Sequence, residues 1–536
     1  MLLYMPYASN PIAFDDHNIF DTLAVFDLAQ TPFSSIPRVF PYFSIGFIHV
    51  LSGGDLLWNR CANVVLHGLV AIAIYCFMLR TIQCGDSKKK VVIASFVSCW
   101  FFLNPVAVYG VAYLTQRTIL FATLFGVIST NLYLRGLAQC RNADLVSSAF
   151  LCVLSMMCKE HAVLFPFAAI VLTIFVTPWS KRVVLKACGF CLMSLPAVVW
   201  VVMKKGEAIV GVNYEEYSGQ VLSQISSALV FDFPGGTWGM SFATQLLLFW
   251  KYLFYWFFPN IQWMSIDVRV DFTRLWSGIW PFVECVLSLF VFGVASILWV
   301  GFGRVSREVR LWSSALLFAL VLFAAEFSVV RVQEPFVLYR SYLWMPAYAL
   351  LMSMALTWCE AFLTQRGLVG LRRLFCGSAI IACACLFPLA QDRLASLSSE
   401  EALWRDALQK LSAPDIPGSD RIYYNLAGEA YKRKDLDEAL RLSKKVVEQN
   451  PTAFQGYLAV GTSLLAKGDI DGARRAYDQA LAHQPPEKFL GYIEFKRCYV
   501  MESRDWREEM IECWRRSARM GYEGAKYQLK MMGIAE

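Results

Sequence analysis

Charge is scarce in this chain. Lys, Arg, Asp and Glu make up 17% of its 536 residues, while 57% are hydrophobic. A soluble globular domain carries about 25% charge, so an ordinary soluble protein is excluded, and length alone misleads as a domain count. The net charge of +7 is spread over short loops and leaves no nucleic-acid footprint. There is no P-loop, no GxGxxG ahead of a helix, no GxSxG elbow and no zinc motif, which removes the commonest nucleotide, hydrolase and metal sites. Among the 16 cysteines only Cys188 and Cys191 stand at CxxC spacing, inside an apolar run, and no spacing indicates a disulfide framework. Most, such as Cys76, Cys99, Cys152, Cys188, Cys191, Cys383 and Cys385, lie in apolar runs and read as small membrane hydrophobes. No cleavable signal peptide is visible, because MLLYMPYA is short and lacks a charged flank. It reads as the outer end of a first membrane helix that starts upstream of Met1. No Asn-x-Ser/Thr sequon occurs, since Asn450 is followed by Pro.

Long hydrophobic runs are abundant. Runs able to cross ~30 Å of hydrocarbon cover 56–79, 91–113, 117–137, 183–203, 277–302, 311–330, 341–362 and 371–390. Residues 145–178 form a double-length run broken by Lys159-Glu160-His161, which predicts two helices joined by a polar corner. The positive-inside rule orients them. Arg80 with Lys88, Lys89 and Lys90 marks one cytoplasmic loop. Arg135 with Arg141, Lys181 with Arg182 and Lys186, Arg304 with Arg307 and Arg310, and Arg366 with Arg372 and Arg373 mark four more. The other side receives a first external loop at 9–55, the turn at Thr115-Gln116-Arg117, the 159–161 corner, a large external loop at 204–276, the turn at Glu334-Pro335, and everything after 391. Parity makes the apolar stretch 244–259 a re-entrant or interfacial helix, two crossings being the alternative.

A soluble tail follows the membrane domain at 1–394 and occupies 395–536. Tyr423, Leu426, Ala427, Asp435, Ala439 and Pro451 recur 34 residues later as Tyr457, Val460, Gly461, Asp469, Ala473 and Pro485. This period, with small residues at helix crossings and a closing Pro, is a tetratricopeptide (TPR) pattern. Degenerate flanking units surround Trp404 and the stretch from Trp506 to Ala518. Such helix pairs stack and present a concave face suited to an extended peptide.

Candidate chemistry begins with Asp15 and Asp16 in FDDHNIF. Adjacent carboxylates beside a lipid-embedded bundle are costly. They suit a general base, a ligand pair for a divalent cation, or a helix N-cap. Basic residues on the outer side form a second group: Arg117, Lys159, Lys204, Lys205, Arg331 and Arg340. Of these, Arg117, Lys159 and Arg340 sit at the outer ends of three different helices, where they suit a phosphate group; snorkelling is the plain alternative. Glu160 is expected to pair with Lys159 or to join His161 at a substrate. Glu334 is expected to meet sugar hydroxyls or Arg340, with Tyr339 beside it. His49 and His67 read as packed or hydrogen-bonded residues.

These features in this order resemble the GT-C membrane glycosyltransferases, specifically the transmembrane-and-TPR-containing protein O-mannosyltransferases and their bacterial relatives. The matching stretches are FDDHNIF, the helix carrying Asn59, Asn63 and His67, FFLNPVAVYGVAYLTQR, CKEHAVLFP, QEPFVLYRSYLW and the repeat tail. Asn104-Pro105 stands where the eukaryotic relatives carry His-Pro. The resemblance implies an all-α fold, a polytopic helix bundle followed by a soluble TPR solenoid. It implies a glycosyltransferase that moves a sugar from a polyprenyl-phosphate-linked donor to Ser or Thr hydroxyls of an exported protein such as a pilin. Asp15 and Asp16 are then catalytic. Arg117, Lys159 and Arg340 hold the donor phosphate, and Glu160, His161, Glu334 and Tyr339 line the substrate. A divalent cation on the Asp pair is the one cofactor in view, and no nucleic acid is expected. The implied location is a bacterial inner membrane, with the active site and the tail facing the periplasm. The rival readings are a non-catalytic TPR scaffold and a glycosyltransferase for a glycan or lipid acceptor.

Overall fold

The computed structural model describes residues 2–31, 37–205, 215, 218–229, 232–301, 305–502 and 507–534. Arg304 and Trp506, and the side chain of Lys205, lie outside the described residues. Among the described residues the chain is all-helical, with no strand and one isolated bridge between Val268 and Phe336. It divides into two compact units. The first comprises Met1–Glu216, Phe231–Val268 and Trp276–Ser399. The second comprises Tyr217–Val230, Arg269–Leu275 and Glu400–Glu536, so two pieces of the large external loop join the tail.

The first unit opens with α1 (Asp15–Phe20), α2 (Ala24–Gln30) and α3 (Val39–Leu51). Next come α4 (Leu56–Thr81), capped by Asp55, and α5 (Ser87–Leu103), capped by Asp86. The helix α6 (Pro105–Val111) is bent 60° from α5. Pro105 cannot donate to the preceding turn. Asn104 secures the break: its Oδ1 accepts from Val106 N–H at 3.0 Å and its amide donates to the Trp256 carbonyl at 3.1 Å. The run at 91–113 is therefore a broken helix rather than a straight one. After α7 (Arg117–Ala138) and α8 (Asn142–Cys158), Lys159 is extended and a 3₁₀ turn at Glu160–Leu164 leads into α9 (Phe165–Val171). The polar corner expected between two helices is present. Then α10 (Lys181–Lys205) completes this half.

The remaining elements of this region are α11 (Ser218–Ala228), α12 (Gly236–Phe257), α13 (Phe272–Leu275), α14 (Trp280–Val300), α15 (Arg307–Phe323), α16 (Ala325–Ser328), α17 (Met345–Gln365) and α18 (Val369–Ala395). Cys285 bonds Ala243, Ser288 bonds Trp250, and Phe292 packs on Phe249. Contacts advance together along both helices, so α12 and α14 run the same way. Between them the first unit holds no second long helix, only irregular backbone around a short 3₁₀ turn at Ile261–Trp263.

Among the described residues six helices are long and apolar enough to cross a membrane, up to seven if the bent α5–α6 pair is one span. They mark a multi-pass membrane protein. Residues such as Phe290 on α14 and Ile380 on α18 are exposed on the protein, as lipid-facing side chains are.

The second unit adds α19 (Glu400–Gln409), α20 (Asp420–Lys432), α21 (Leu436–Gln449), α22 (Phe454–Ala466), α23 (Ile470–Ala482), α24 (Glu487–Glu502), α25 (Arg507–Arg519) and α26 (Glu523–Met531). The sequence period has a physical counterpart. Asp435 caps α21 by accepting from Glu438 N–H, and Asp469 caps α23 by accepting from Gly472 N–H. The residue before each cap, Lys434 and Gly468, turns the chain at positive φ. Gly461 lies against the Tyr477 ring, where an added Cβ would stand 2.6 Å from carbon. A small residue there lets α22 and α23 close.

The expectation of no disulfide is corrected here. Cys498 on α24 and Cys513 on α25 are bonded, joining residues 15 apart. The pair escaped notice because neither spacing nor motif distinguishes it. Replacing both by serine should cost about 3 kcal/mol of stability in this unit, read as a lower thermal midpoint. Peptide mapping after alkylation of the unreduced protein should find both sulfurs blocked; two alkylated thiols would refute the pairing.

Candidate functional site

The Asp pair splits into two environments. Phe14 adopts φ 53° and ψ −124°, a left-side backbone conformation that costs a non-glycine residue about 1–3 kcal/mol. The turn sends consecutive carboxylates different ways. Asp16 is buried, with Oδ1 accepting from Thr115 N–H at 2.8 Å and Oδ2 from Leu114 N–H at 3.1 Å. Burial pushes its carboxyl up to about 6, against the two backbone donors and the Arg60 charge, which pull it down. Asp15 is exposed, and among the described residues its carboxylate makes no hydrogen bond or ion pair. Its backbone N–H donates to the Tyr113 hydroxyl at 3.0 Å. The N-cap alternative fails, because no side chain caps α1. Arg60, on α4, grips the same loop by donating to the carbonyls of Asn10 and Pro11.

Arg117 is fully buried and its guanidinium is occupied. Nε donates to Asn63 Oδ1 at 2.7 Å, and one Nη donates to both Asn59 oxygens at 2.8 Å. The other Nη reaches Ser44 at 3.3 Å. Asn59 and Asn63 lie one helical turn apart on α4, so the arginine pins α7 to α4 and α3. In this arrangement Arg117 positions helices, and every nitrogen is already engaged.

The other predicted residues gather around the 159–161 corner and the 331–340 segment. Glu160 pairs with Arg38 rather than with Lys159: Arg38 Nε donates to Oε2 at 2.9 Å and an Nη to Oε1. Burial pushes the Glu160 carboxyl up, but the Arg38 and Lys159 charges hold it well below the usual carboxylate range. Lys159 is buried, and among the described residues its ammonium makes no hydrogen bond or ion pair. Burial, then the cations Arg38, Arg340 and Arg331, bring it down to about 7, with Glu160 opposing. His161 is half-buried and feels the charges of Glu326 and Glu160.

Arg340 meets Glu334 as expected, donating to its carbonyl at 2.9 Å and its carboxylate at 3.4 Å. It also faces Glu326 at 3.7 Å and Glu215 at 4.0 Å. Arg331 lies 3.2 Å from Glu326 and 3.8 Å from Glu215. Tyr339, beside Arg340, packs edge-on against Tyr113 with centroids 5.8 Å apart. The Tyr113–Tyr339 contact thus links the turn carrying Asp15 to the charge cluster.

Sequence reasoning missed Arg38, Glu215 and Glu326. An acid inside the apolar stretch FAAEFSVV was a usable signal for Glu326; Arg38 and Glu215 carry none. His67 behaves as read, buried between the Tyr342 hydroxyl at 2.7 Å and the Phe102 carbonyl at 3.1 Å. Among the described residues no group of three or more His, Cys, Asp or Glu side chains is arranged to hold a metal, and the Asp15 and Asp16 carboxylates, one exposed and one bonded to Leu114 and Thr115 N–H, do not converge on a shared cation. Comparison with known families, characterised proteins and solved structures found no match.

Two outcomes follow. Arg38→Ala removes both hydrogen bonds from the partly buried Glu160 and should cost about 1–3 kcal/mol, measured by thermal unfolding in detergent. Asp16 has a folded pKa above its unfolded one, so its contribution to stability is full below the unfolded value near 4 and is lost as pH rises through about 6. Asp16→Asn should flatten that part of the stability profile; an unchanged slope between pH 4 and about 6 would contradict the assignment.

Proposed function

We propose that the chain is a membrane glycosyltransferase of GT-C type that moves a sugar from a polyprenyl-phosphate-linked donor to a Ser or Thr hydroxyl of an exported protein. The observation that carries this reading is the pairing of an exposed, unengaged carboxylate, Asp15, with a buried cation cluster reached through Tyr113 and Tyr339. In the reaction the acceptor Oγ bonds to the anomeric carbon and its proton passes to Asp15. The bond between that carbon and the phosphate oxygen breaks, and the electron pair leaves with the phosphate. Lys159 and Arg340 offset the growing negative charge. Asp16 holds the turn that aims Asp15, and Arg117 holds the helices beneath it. Glu160, His161, Glu334 and Tyr339 line the donor side.

The tail is a TPR solenoid that recognises the acceptor segment. Cysteine usage supports an extracytoplasmic position for it. The tail's two cysteines are both in the disulfide, and disulfides persist in oxidising compartments. The external loops at 9–55 and 204–276 contain no cysteine, whereas the cytoplasmic loops contain Cys84 and Cys140. Charge topology and cysteine usage are independent and agree. In a bacterium the tail and site then face the periplasm.

The test is Asp15→Asn. General-base loss should cut transfer by about 10²–10⁴-fold with insertion and thermal midpoint unchanged. Intact-protein mass spectrometry of exported proteins, from cells with wild-type or variant chain, reads the missing hexose or pentose. Full activity of the variant would favour the scaffold reading; sugar lost from a glycan or lipid instead would redirect the acceptor.

A further inference from the structure

Glu215 sits in an unusual place for a loop carboxylate. One oxygen, Oε2, accepts from three consecutive backbone N–H groups: Val332 at 3.3 Å, Gln333 at 2.8 Å and Glu334 at 3.3 Å. Its other oxygen points toward Arg331 at 3.8 Å and Arg340 at 4.0 Å and has no hydrogen-bond partner among the described residues. Successive N–H groups turned to one point form an anion-binding concavity. Two guanidiniums beside it add charge and further donors. The cradle is deeply buried: Arg331 is 1% exposed, Arg340 5% and Glu215 9%.

The local charge balance shows what the cradle requires. Lys159, Arg331 and Arg340 stand against Glu215, Glu326 and Glu334. Arg38 and Glu160 satisfy each other. Glu215 supplies one of the three carboxylates that face Arg331 and Arg340 among the described residues. Without it, Arg331 and Arg340 lose a facing carboxylate, and one buried and two partly buried N–H groups lose this acceptor, a cost of about 1–3 kcal/mol for a fully buried unsatisfied group. An anion must occupy this point. A phosphate meets the same donors with more oxygens and up to two charges, and Lys159, which has no hydrogen-bond partner among the described residues, supplies a further donor.

We infer that the Arg331–Glu334 segment with Arg340 is a phosphate-binding cradle and that Glu215 is its built-in competitor, a carboxylate occupying the seat of the donor's phosphate. The identity of the phosphate as the donor's rests on the sugar-transfer reading; the cradle and its competitor do not. Donor binding then includes exchange of one anion for another, and the affinity for phosphate is lowered by the fraction of molecules in which Glu215 is seated.

The experiment uses the full chain in detergent and inorganic pyrophosphate as the probe, with sulfate at matched ionic strength to remove general salt effects. Thermal unfolding is followed for wild type, Glu215→Gln and Glu215→Ala. Both variants should unfold earlier than wild type without added anion. Pyrophosphate should restore their midpoints, with an apparent affinity about tenfold tighter than wild type shows. Equal pyrophosphate shifts in all three proteins would overturn the inference. So would a lowered midpoint that pyrophosphate does not restore, which makes Glu215 a loop clamp only. If the alanine variant does not fold, the glutamine variant, which keeps the side chain's size, decides. Asp15→Asn run alongside should keep the wild-type pyrophosphate response, so failure of the transfer chemistry and failure of the cradle are seen separately.

Discussion

Ionised groups removed from water must find partners, and the bundle is organised around that requirement. Arg38, Lys159, Arg331 and Arg340 face Glu160, Glu215, Glu326 and Glu334 within one buried region. The Coulomb gain for such pairs is offset by desolvation, so a buried network of this kind contributes little net stability compared with apolar packing. What it contributes is position. Each pair ties segments distant in sequence: Arg38 to Glu160, Glu215 to Arg331, and Glu326 to Arg340. Irregular backbone at these points is held by ions rather than by helix ladders. Among the described residues Lys159 is the one cation of the group without a bonded partner.

A second polar network does for the helices what the first does for the loops. Arg117 joins Asn59, Asn63 and Ser44, and Asp16 accepts from the first N–H groups of the turn that leads into Arg117. The first loop is therefore fastened to the N-terminal end of α7 from both directions. Two neighbouring carboxylates thereby acquire opposite characters, one spent on backbone donors and one left in solvent. Environments that differ this much across a single peptide bond separate a supporting role from a reactive one. The strained Phe14 backbone is the local means of doing it.

Much of this was legible in sequence because apolar length and charge bias are local properties. The helices, the corner at Lys159 and the period of the tail are each written in consecutive residues. The partners were harder. Glu160 sits next to Lys159 in sequence yet bonds Arg38, because the extended backbone at Lys159 sends adjacent side chains apart. Arg117 has the residue type and membrane depth of a phosphate ligand, and no sequence rule separates a guanidinium facing a ligand from one facing two asparagines on the next helix. Glu215 lies in a stretch without pattern, and its role depends on where three backbone N–H groups more than 100 residues later happen to point. The disulfide was not legible because Cys498 and Cys513 lie on two different helices, 15 residues apart, with no motif around either.

The contrast between a scaffold and an enzyme reduces to what the membrane unit would need. A scaffold that recruits partners through its repeats requires helices that insert and pack, and for that an apolar bundle with capped ends is enough. It has no use for a positive-φ phenylalanine that turns one aspartate outward, for a buried ammonium with no bonded partner among the described residues, or for a cradle of backbone donors that an internal carboxylate fills. The first two raise the free energy of the folded state, and none of the three improves packing. Features that cost stability in one small region, and converge there from distant parts of the chain, favour the proposed site for an anionic ligand over the scaffold. The membrane unit is built as though the cost of that region were the purpose of the rest.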